Sequence, residues 1–256
     1  MLLAIDVGNS NLTLGLFNGQ KLEHHWRLET SSRRTADEYG LLVTQLLRNS
    51  SYENSDLDAV IIASVVPNLT PQLEQFVETT FNLRAMVVGP GLKTGMKISY
   101  NPPKDVGADR IVNGVAAYNT CQSACIVVDF GTATTFDSIG KNGEYQGGAI
   151  APGVQISMDA LFQRAAKLPK VDVQKPSQVV GKSTVESMQA GAFFGYVGLV
   201  DGLVQRMKAE MGPDNVQVLA TGGLAKNIAA ESKTINAVHE NLTLDGLRLI
   251  YELNKQ

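Results

Sequence analysis

The sequence contains few of the residues that mark disulfide-linked, zinc-binding or nucleic-acid-binding proteins. Cysteine occurs only twice in 256 residues, at Cys121 and Cys125, with no histidine or third cysteine nearby. This spacing matches neither a zinc site nor a Cys-x-x-Cys redox motif, so we expect free, buried thiols in a reducing cytosol. The formal net charge is −3, and the basic pair Arg33 and Arg34 is isolated. The charge pattern therefore gives no support for nucleic-acid binding.

The sequence predicts neither a membrane-spanning segment nor a targeting signal. Its longest apolar stretch, residues 190–204, contains Asp201 and is shorter than the roughly 20 residues that a span requires. Residues 1–5 have no basic start and are followed at once by Asp6, unlike a secretory signal. We therefore expect a cytoplasmic protein without membrane contact. The glycines of the apolar stretch predict close packing of a helix, either within the chain or in a dimer. They lie at positions 191, 195, 198 and 202.

A nucleotide-binding P-loop is absent as well. Gly181, Lys182 and Ser183 resemble the end of that motif, but Pro176 stands where its first glycine is required. We instead interpret Ser183 and Glu186 as a capping box that opens a helix at Val185.

One short pattern occurs twice in the sequence. In residues 3–15 and again in 126–137, an apolar run ends at an aspartate, a glycine follows two positions later, and small polar residues lead into a second apolar stretch. This pattern predicts a strand, a tight turn and a strand. The two aspartates, Asp6 and Asp129, are separated by about the length of one domain. We therefore infer the duplication of a whole domain.

The residue types in these two turns suit a polyphosphate. Gly8 and Gly131 are expected to adopt positive φ and to allow close approach of the backbone, so that N–H groups and hydroxyls surround an anion. The hydroxyls belong to Ser10, Thr13, Thr132, Thr134 and Thr135. Asp6 and Asp129 have the wrong charge for phosphate, so we expect them to hold a cation that bridges to it, directly or through water. A single hairpin of this kind would be ordinary turn chemistry.

The order of predicted elements indicates an α/β protein made of two similar halves. The predicted strands span 2–6, 12–17, 22–28, 59–65, 85–88, 125–129, 134–139, 147–151 and 216–221. The predicted helices span 36–48, 70–82, 109–120, 154–165, 185–210 and 244–254. This order resembles duplicated actin-like (ribonuclease H-like) domains, each with a mixed five-stranded sheet flanked by helices. We place the domains at 1–115 and 116–256, allowing for the last helix to pack back on the first domain.

Glycine-rich and charged segments supply further candidates. Asp109, in the segment 107–113, is interpreted as a helix N-cap that accepts a backbone N–H, a role that is compatible with a functional one. The glycine-rich turns 147–153 and 221–225 present backbone to a ligand or cap a helix. At Gly222 and Gly223 no side chain would stand in the way of a flat adenine.

Taken together, these motifs resemble the set found in type III pantothenate kinases. They are Asp6-x-Gly8-Asn9-Ser10, Gly107-x-Asp109-Arg110, Asp129-Phe130-Gly131-Thr132, Gly147-Gly148-x-Ile150-x-Pro152-Gly153 and Thr184-x-x-Ser187-x-Gln189-x-Gly191. Their order matches that of the family, and they extend over nearly the whole chain.

The resemblance implies ATP-dependent phosphorylation of pantothenate to 4′-phosphopantothenate, the first step toward coenzyme A. The residues implied to bind ATP are Asp6, Val7, Gly8, Asn9, Ser10, Asn11, Leu12, Thr13 and Thr132. Those implied to line the pantothenate pocket are Tyr100, Gly107, Ala108, Asp109, Arg110 and Thr184. Asp109 would be the catalytic base and Asp129 would help to hold a monovalent cation, K⁺ or NH₄⁺. Mg²⁺ would accompany ATP close to Asp6. Family members are homodimers with the pocket near the interface, which makes the glycine-rich helix after Thr184 a candidate contact.

Two other classes of protein remain open from the sequence. The paired hairpins also resemble those of actin-like phosphatases that act on polyphosphate or guanosine tetraphosphate, but a second acidic cluster and a longer chain are missing here. A non-catalytic, nucleotide-dependent regulator is the other alternative. The presence of Asp6, Asp109 and Asp129 together argues for catalysis, and the lack of a basic face argues against contact with DNA.

Overall fold

The computed structural model describes residues 1–212 and 215–255. The strands are β1 (Leu2–Val7), β2 (Asn11–Asn18), β3 (Lys21–Glu29), β4 (Ala59–Ser64), β5 (Met86–Val87), β6 (Cys125–Phe130), β7 (Ala133–Ile139), β8 (Tyr145–Pro152), β9 (Gln217–Gly222) and β10 (Ala237–Val238). The helices are α1 (Ala36–Asn49), α2 (Thr70–Phe81), α3 (Ala108–Cys121), α4 (Val154–Arg164), α5 (Thr184–Met211), α6 (Ala225–Ala229) and α7 (Leu242–Asn254). Short 3₁₀ turns occur at Asn54–Asp56 and Pro103–Asp105.

The chain divides into two compact units. The first unit comprises residues 1–96, 101–116 and the segment from 242 onward, and the second comprises 97–100 and 117–241. The boundary at residue 116 falls within α3. The division into folding domains at 115 and 116 stays a prediction.

The first unit is built on a mixed sheet with the strand order β3-β2-β1-β4-β5. Strands β1 and β2 are antiparallel, whereas β1 and β4 are parallel. Both faces of the sheet are covered. Ile5 and Leu14 belong to the face that packs with Tyr39 of α1, and the alternate residue Ala4 packs with Leu247 of α7. Asp6 follows the alternation of Ala4, so its carboxylate lies on the α7 face.

The second unit repeats this plan with the strand order β10-β9-β6-β7-β8. One face of its sheet, which carries Val128 and Phe136, is buried against Phe193 and Val200 of α5. The apolar residues of α5 at these positions explain why so long a helix stays on the sheet. The expected fold class of duplicated, mixed five-stranded sheets with flanking helices is confirmed.

The two aspartates occupy the same place in the two sheets. Asp6 lies one residue before the end of β1, opposite Thr13 of β2. Asp129 lies one residue before the end of β6, opposite Thr135 of β7 and beside Thr221 of β9. The repeated sequence pattern therefore corresponds to a repeated three-dimensional position.

Several local details differ from the predictions. The short elements α6 and β10 were not predicted, because five and two residues are too few to show a periodicity. Ser183 is the N-cap of α5, and its hydroxyl accepts a hydrogen bond from the Glu186 N–H. The Glu186 carboxylate, however, accepts from the Lys182 N–H rather than that of Ser183. The capping box is therefore only half formed.

Three of the four glycines in the apolar stretch of α5 do not pack against another part of the described chain. A Cβ atom built at Gly191, Gly195 or Gly198 would meet no neighbour within 4 Å, and all three glycines are exposed. Of the two alternatives for these glycines, close packing within the chain is therefore wrong. No helix in residues 1–212 and 215–255 is long and apolar enough to cross a membrane.

The expectation of two buried free thiols is half correct. Both cysteines are free, but only Cys125 is buried, whereas Cys121 is partly exposed.

Candidate active site

The first hairpin turn is held rigidly while its side chains remain exposed. The Gly8 N–H donates to the Asn11 carbonyl at 3.0 Å. Thr30, which follows β3, donates its hydroxyl to the Gly8 carbonyl at 2.6 Å and its N–H to the Ser10 carbonyl at 3.0 Å. Asn9, Ser10 and Asn11 are exposed. The turn thus presents amide and hydroxyl groups to a ligand on a fixed backbone.

Two expectations for this hairpin need correction. Neither Gly8 nor its counterpart Gly131 has a positive φ, so left-handed backbone is not the reason for glycine there. At Gly8 the reason is space, because a Cβ would lie 3.2 Å from the Asn11 carbonyl oxygen. Val7 and Leu12 are buried in the core, so they can meet a ligand only through their backbone.

The second hairpin turn is closed by backbone from two neighbouring segments. A Cβ at Gly153 would lie 2.2 Å from the Thr132 carbonyl oxygen, so only glycine lets α4 begin on the turn. Gly222 has φ +91°, and a Cβ there would lie 2.7 Å from Oδ1 of Asp129. Of the glycine pair predicted to accept a flat base, only Gly223 faces open space. Gly222 instead provides close approach between β9 and the Asp129 carboxylate.

A cavity of about 390 Å³ lies beside the second turn. Its lining residues are Phe130, Gly131, Thr134, Val154, Gln155, Asp172, Val173, Gly223 and Leu224. The hydroxyl of Thr134 is buried and has no hydrogen-bond partner among the described residues. Buried hydroxyls are normally paired, so a ligand with an acceptor or donor at this depth would satisfy it.

Asp109 lies in the first turn of α3 and is not its N-cap, which corrects the expectation for this residue. Its Oδ1 accepts a hydrogen bond from the N–H of the next residue, Arg110, at 2.8 Å. Burial raises the pKa of the Asp109 carboxyl above its ordinary value, and the hydrogen bond and charge of Arg110 only partly offset this effect. A carboxylate with a raised pKa is a stronger base, as proton abstraction requires.

Within the first unit, the segment that carries Asp109 lies beside Val65, which follows β4. A Cβ at Gly107 would lie 2.5 Å from Oδ1 of Asp109 and 3.5 Å from a methyl group of Val65. The Val65 N–H in turn donates to the carbonyl of Val7 at 3.1 Å. Val65 therefore lies next to both the Gly107 position and the end of β1.

The other predicted site residues belong to the second unit. Asp129 and Thr132 lie at the second turn, and Tyr100 packs on β8, where its ring is 6.2 Å from that of Tyr145. Thr184 is exposed at the start of α5 and lines a cleft of about 700 Å³ between α4 and α5. The structure thus places the predicted residues in four groups: the first turn with the neighbouring Asp109 segment, the second turn with Asp129, the β8 edge with Tyr100, and the cleft between α4 and α5 with Thr184.

Two buried polar residues near these groups were not predicted. Asp137 on β7 is fully buried, and its carboxylate accepts from the Tyr145 hydroxyl at 2.8 Å and from the Thr135 hydroxyl at 3.2 Å. Asp137 stands two residues after Thr135 in a predicted strand. This spacing alone places both side chains on one face of β7. Nothing local pointed to Tyr145.

The donor set around Asp129 suits a hard cation, but no large acidic cluster is present. Asp129, Thr135 and Thr221 place carboxylate and hydroxyl oxygens at adjacent register positions, and oxygen ligands are those that hard cations prefer. Among residues 1–212 and 215–255, no group of three or more His, Cys, Asp or Glu side chains could hold a metal ion. A divalent ion bound here would take its remaining ligands from water or from a bound phosphate.

The chain is similar to known proteins in sequence and in fold. A family model described as type III pantothenate kinase matches residues 2–206. The type III pantothenate kinases of Geotalea daltonii and Geobacter sulfurreducens are each 57% identical to this chain over 256 residues, with 100% of both chains covered. Among solved structures, an inorganic polyphosphate/ATP-glucomannokinase from Arthrobacter sp. strain KM is similar with a TM-score of 0.52 and 12% identity, covering 99% of each chain. At that identity the similarity shows the actin-like fold alone.

Proposed function

This chain belongs to the type III pantothenate kinase family, and from that premise we propose how its residues bind ATP and pantothenate and transfer the phosphoryl group. The enzyme phosphorylates pantothenate in coenzyme A biosynthesis. The observation that carries this conclusion is the 57% identity to named type III pantothenate kinases over the full length of the chain.

We propose that the two hairpin turns bind the triphosphate of ATP. The exposed Asn9, Ser10 and Asn11 of the first turn, on backbone fixed by Thr30, supply donors to phosphate oxygens. Thr13 lies opposite Asp6 and Thr132 lies in the second turn, so both add hydroxyl groups. The cavity beside Gly131 and Gly223 has the size for part of a nucleotide. These features support the assignment of residues 6–13 and Thr132 to ATP.

We propose Asp109 as the base for the attacking hydroxyl of pantothenate. Phosphoryl transfer passes through a loose transition state, so alignment and charge neutralisation matter more than prior formation of an alkoxide. A carboxylate can then accept the proton late, as the new P–O bond forms. The raised pKa of Asp109 improves that acceptance, and Gly107 leaves its carboxylate the space to turn toward substrate.

The family implies a divalent metal with ATP, for which we propose Mg²⁺, and the residues around Asp129 fit a monovalent cation. We propose that Asp129 helps to hold K⁺ or NH₄⁺ and that Asp6 lies close to Mg²⁺, directly or through water. When bound, these ions offset the negative charge of the triphosphate. The chain's own contribution is to hold the Asp129 carboxylate between β7 and β9, where Gly222 allows close approach.

We propose that Tyr100, Gly107, Ala108, Asp109, Arg110 and Thr184 bind pantothenate. Arg110 is buried, and a guanidinium at the start of α3 is suited to the carboxylate of the substrate.

We further propose a homodimer in which the exposed glycine face of α5 contacts a second copy of the chain.

The activity is tested by incubating the purified protein with ATP, Mg²⁺, K⁺ and pantothenate while ADP and phosphorylated pantothenate are measured. We expect ADP only when pantothenate is present, with one phosphorylated product for each ADP. Phosphate release without pantothenate would instead identify a phosphatase, and no turnover would identify a regulator.

In the same assay, the activity of Asp129→Ala should depend little on the potassium concentration. A potassium titration equal to that of the wild type would remove Asp129 from the cation site.

A further inference from the structure

We propose that Tyr145, held by the buried carboxylate of Asp137, positions Tyr100 for pantothenate and thereby sets the affinity of the enzyme for that substrate. This inference rests on the proposed assignment of Tyr100 to the pantothenate pocket. It gives a role to two buried polar residues that phosphoryl transfer itself does not use.

Tyr145 holds the backbone on the N-terminal side of Tyr100. Its N–H donates to the Lys97 carbonyl at 2.8 Å, and its carbonyl accepts from the Ser99 N–H at 2.8 Å. Ile98 pairs with Tyr145 as an isolated parallel bridge. Residues 97–99 therefore pair with the edge strand β8 of the second sheet through Tyr145.

The side chain of Tyr145 also supports the ring of Tyr100. The two rings meet edge to face at 6.2 Å, a favourable aromatic geometry. Gly147, two residues along β8, has φ +121°, and a Cβ there would lie 3.4 Å from the Tyr100 ring. Strand β8 thus provides both a supporting ring and a site without a side chain. Tyr100 itself remains 39% exposed, which leaves part of its ring accessible to a ligand.

The side chain of Asp137 fixes the orientation of the Tyr145 ring through a hydrogen bond to its hydroxyl. Tyr145 and Asp137 are both fully buried, and the Tyr145 hydroxyl donates to Oδ1 of Asp137 at 2.8 Å. The other carboxylate oxygen accepts from the Thr135 hydroxyl at 3.2 Å. Hydrogen bonds to a buried carboxylate are strong and directional, so they define where the phenol ring lies. A purely apolar ring at this position would have no such constraint.

The test compares steady-state kinetics of Tyr145→Phe with the wild type. Phenylalanine keeps the ring but loses the hydrogen bond to Asp137, so the KM for pantothenate should rise about tenfold, the effect of one such bond. The kcat and the KM for ATP should stay within about twofold. Tyr118→Phe is the matched control, because it removes a tyrosine hydroxyl that bonds to the Lys141 carbonyl in the same unit; its kinetics should not change.

A double-mutant cycle separates positioning from a general loss of structure. In a Tyr100→Ala background, Tyr145→Phe should have no further effect on the KM for pantothenate, because the ring that it positions is gone. An unchanged KM in Tyr145→Phe, or an equal rise in both backgrounds, would overturn the proposal. If Tyr145→Phe does not fold, Asp137→Asn replaces it, since asparagine keeps the shape and an acceptor, and a smaller rise in the same KM is expected. An unaltered KM in a folded Asp137→Asn protein would then count against the proposal.

Failure of the proposed function would look different. If the wild type forms no ADP in response to pantothenate, the function is wrong. If the wild type is active and only the Tyr145 result is negative, the function stands and the positioning role falls.

Discussion

Asp109 combines two features that a catalytic carboxylate needs, a defined orientation and a raised pKa. Its Oδ1 is fixed by the Arg110 N–H at 2.8 Å, and burial makes protonation easier than for an exposed aspartate.

We expect Asp109→Asn to lower kcat by about a hundredfold or more, the usual range for a positioned base. Asparagine keeps the shape but accepts no proton, so ATP binding should remain nearly intact. Single-turnover rates and ATP titrations measure the two effects separately. Asp105→Asn is the control, since Asp105 is an exposed carboxylate on the preceding 3₁₀ turn. A near-normal single-turnover rate in Asp109→Asn would remove this residue from the role of base.

The pH dependence of kcat/KM should show the ionisation of the Asp109 carboxyl group. The base acts only when it is deprotonated, so kcat/KM falls as the pH drops through the pKa of Asp109. Because burial raises that pKa, the acidic limb should lie above the value of about 3.9 for a free aspartate. The pH profile of kcat/KM, recorded with the wild type and Asp109→Asn, measures this. Persistence of the same limb in the variant would assign it to another group.

A substitution at Gly107 would displace the Asp109 carboxylate without removing it. An alanine there would place its Cβ 2.5 Å from Oδ1 of Asp109, at a φ that alanine tolerates, so the carboxylate must move while the fold need not. We expect Gly107→Ala to lower kcat at least tenfold, because small displacements of reacting groups are costly. Thermal melts should be close to those of the wild type. Gly89→Ala, with no neighbour within 4 Å, should have normal kinetics, and equal activity in both variants would contradict the argument.

Local sequence patterns predict candidate residues in the hairpin turns but do not predict Tyr145 at the β8 edge. Asp6 and Asp129 each end an apolar run and stand two positions before a glycine, so a short window of sequence is enough to single them out. Tyr145 is defined by pairing with residues 97–99, far away in the sequence. Such a contact leaves no periodic signal within either segment, which is why Tyr145 was missed.

At the scale of elements, the sequence predicts buried strands and long helices well and short elements poorly. The apolar runs of β1, β4, β6 and β9 are evident because both faces of a central strand are buried. By contrast, α6 and β10 are defined by neighbours, since β10 exists only by pairing with β9. Their stability comes from tertiary contacts rather than from propensity.

The segment between α6 and β10 is tied to α5 by a carboxylate in an otherwise apolar stretch. Asp201 accepts hydrogen bonds from the hydroxyls of Ser232 and Thr234 at 2.6 and 2.8 Å and from the Lys233 N–H at 3.1 Å. Burial acts to raise the pKa of Asp201, but these hydrogen bonds outweigh it and lower the pKa. The charge of Asp201 is therefore used within the fold.

We expect Asp201→Ala to reduce the free energy of unfolding by about 2 kcal/mol at pH 7, since hydrogen bonds to a charged group are being removed. Because the pKa is lowered in the folded state, this stabilisation is present above the unfolded pKa of about 3.9 and is lost as the pH falls through the folded value. Urea unfolding at neutral and acidic pH measures the difference. Glu210→Ala, an exposed carboxylate on the same helix, is the control. Equal stability of both variants would show that the cluster contributes nothing.

At the scale of the whole molecule, the repeated arrangement gives each sheet a central strand with an aspartate next to its last residue and a turn after it. The sheets have equivalent strand orders, yet the turns differ, since Gly8 bonds to Asn11 whereas Gly131 bonds to Ala133, one residue closer. The surroundings differ as well, because Asp6 lies beside Ala63 and Asp129 beside Thr221. This asymmetry supports different roles for the two aspartates within one repeated arrangement.

The exposed glycine face of α5 is the feature that a single copy of the chain leaves unexplained. Gly191, Gly195 and Gly198 meet no neighbour within 4 Å, although glycine weakens a helix by about 1 kcal/mol relative to alanine. Close approach of a second copy accounts for retaining them at that cost. We therefore expect the protein in solution to have twice the chain mass of 27.5 kDa.

Gly195→Leu tests this interface directly. The substitution fits the isolated chain, where space is open, and leucine favours the helix, but its side chain would block a close helix-to-helix contact. We expect sedimentation equilibrium to show a dimer for the wild type and a monomer for Gly195→Leu, with unchanged helical content by circular dichroism. Gln75→Leu adds the same side chain at an exposed position of α2, away from α5, and should remain dimeric. A monomeric wild type would refute the dimer, and a dimeric Gly195→Leu would exclude the α5 glycines from its interface.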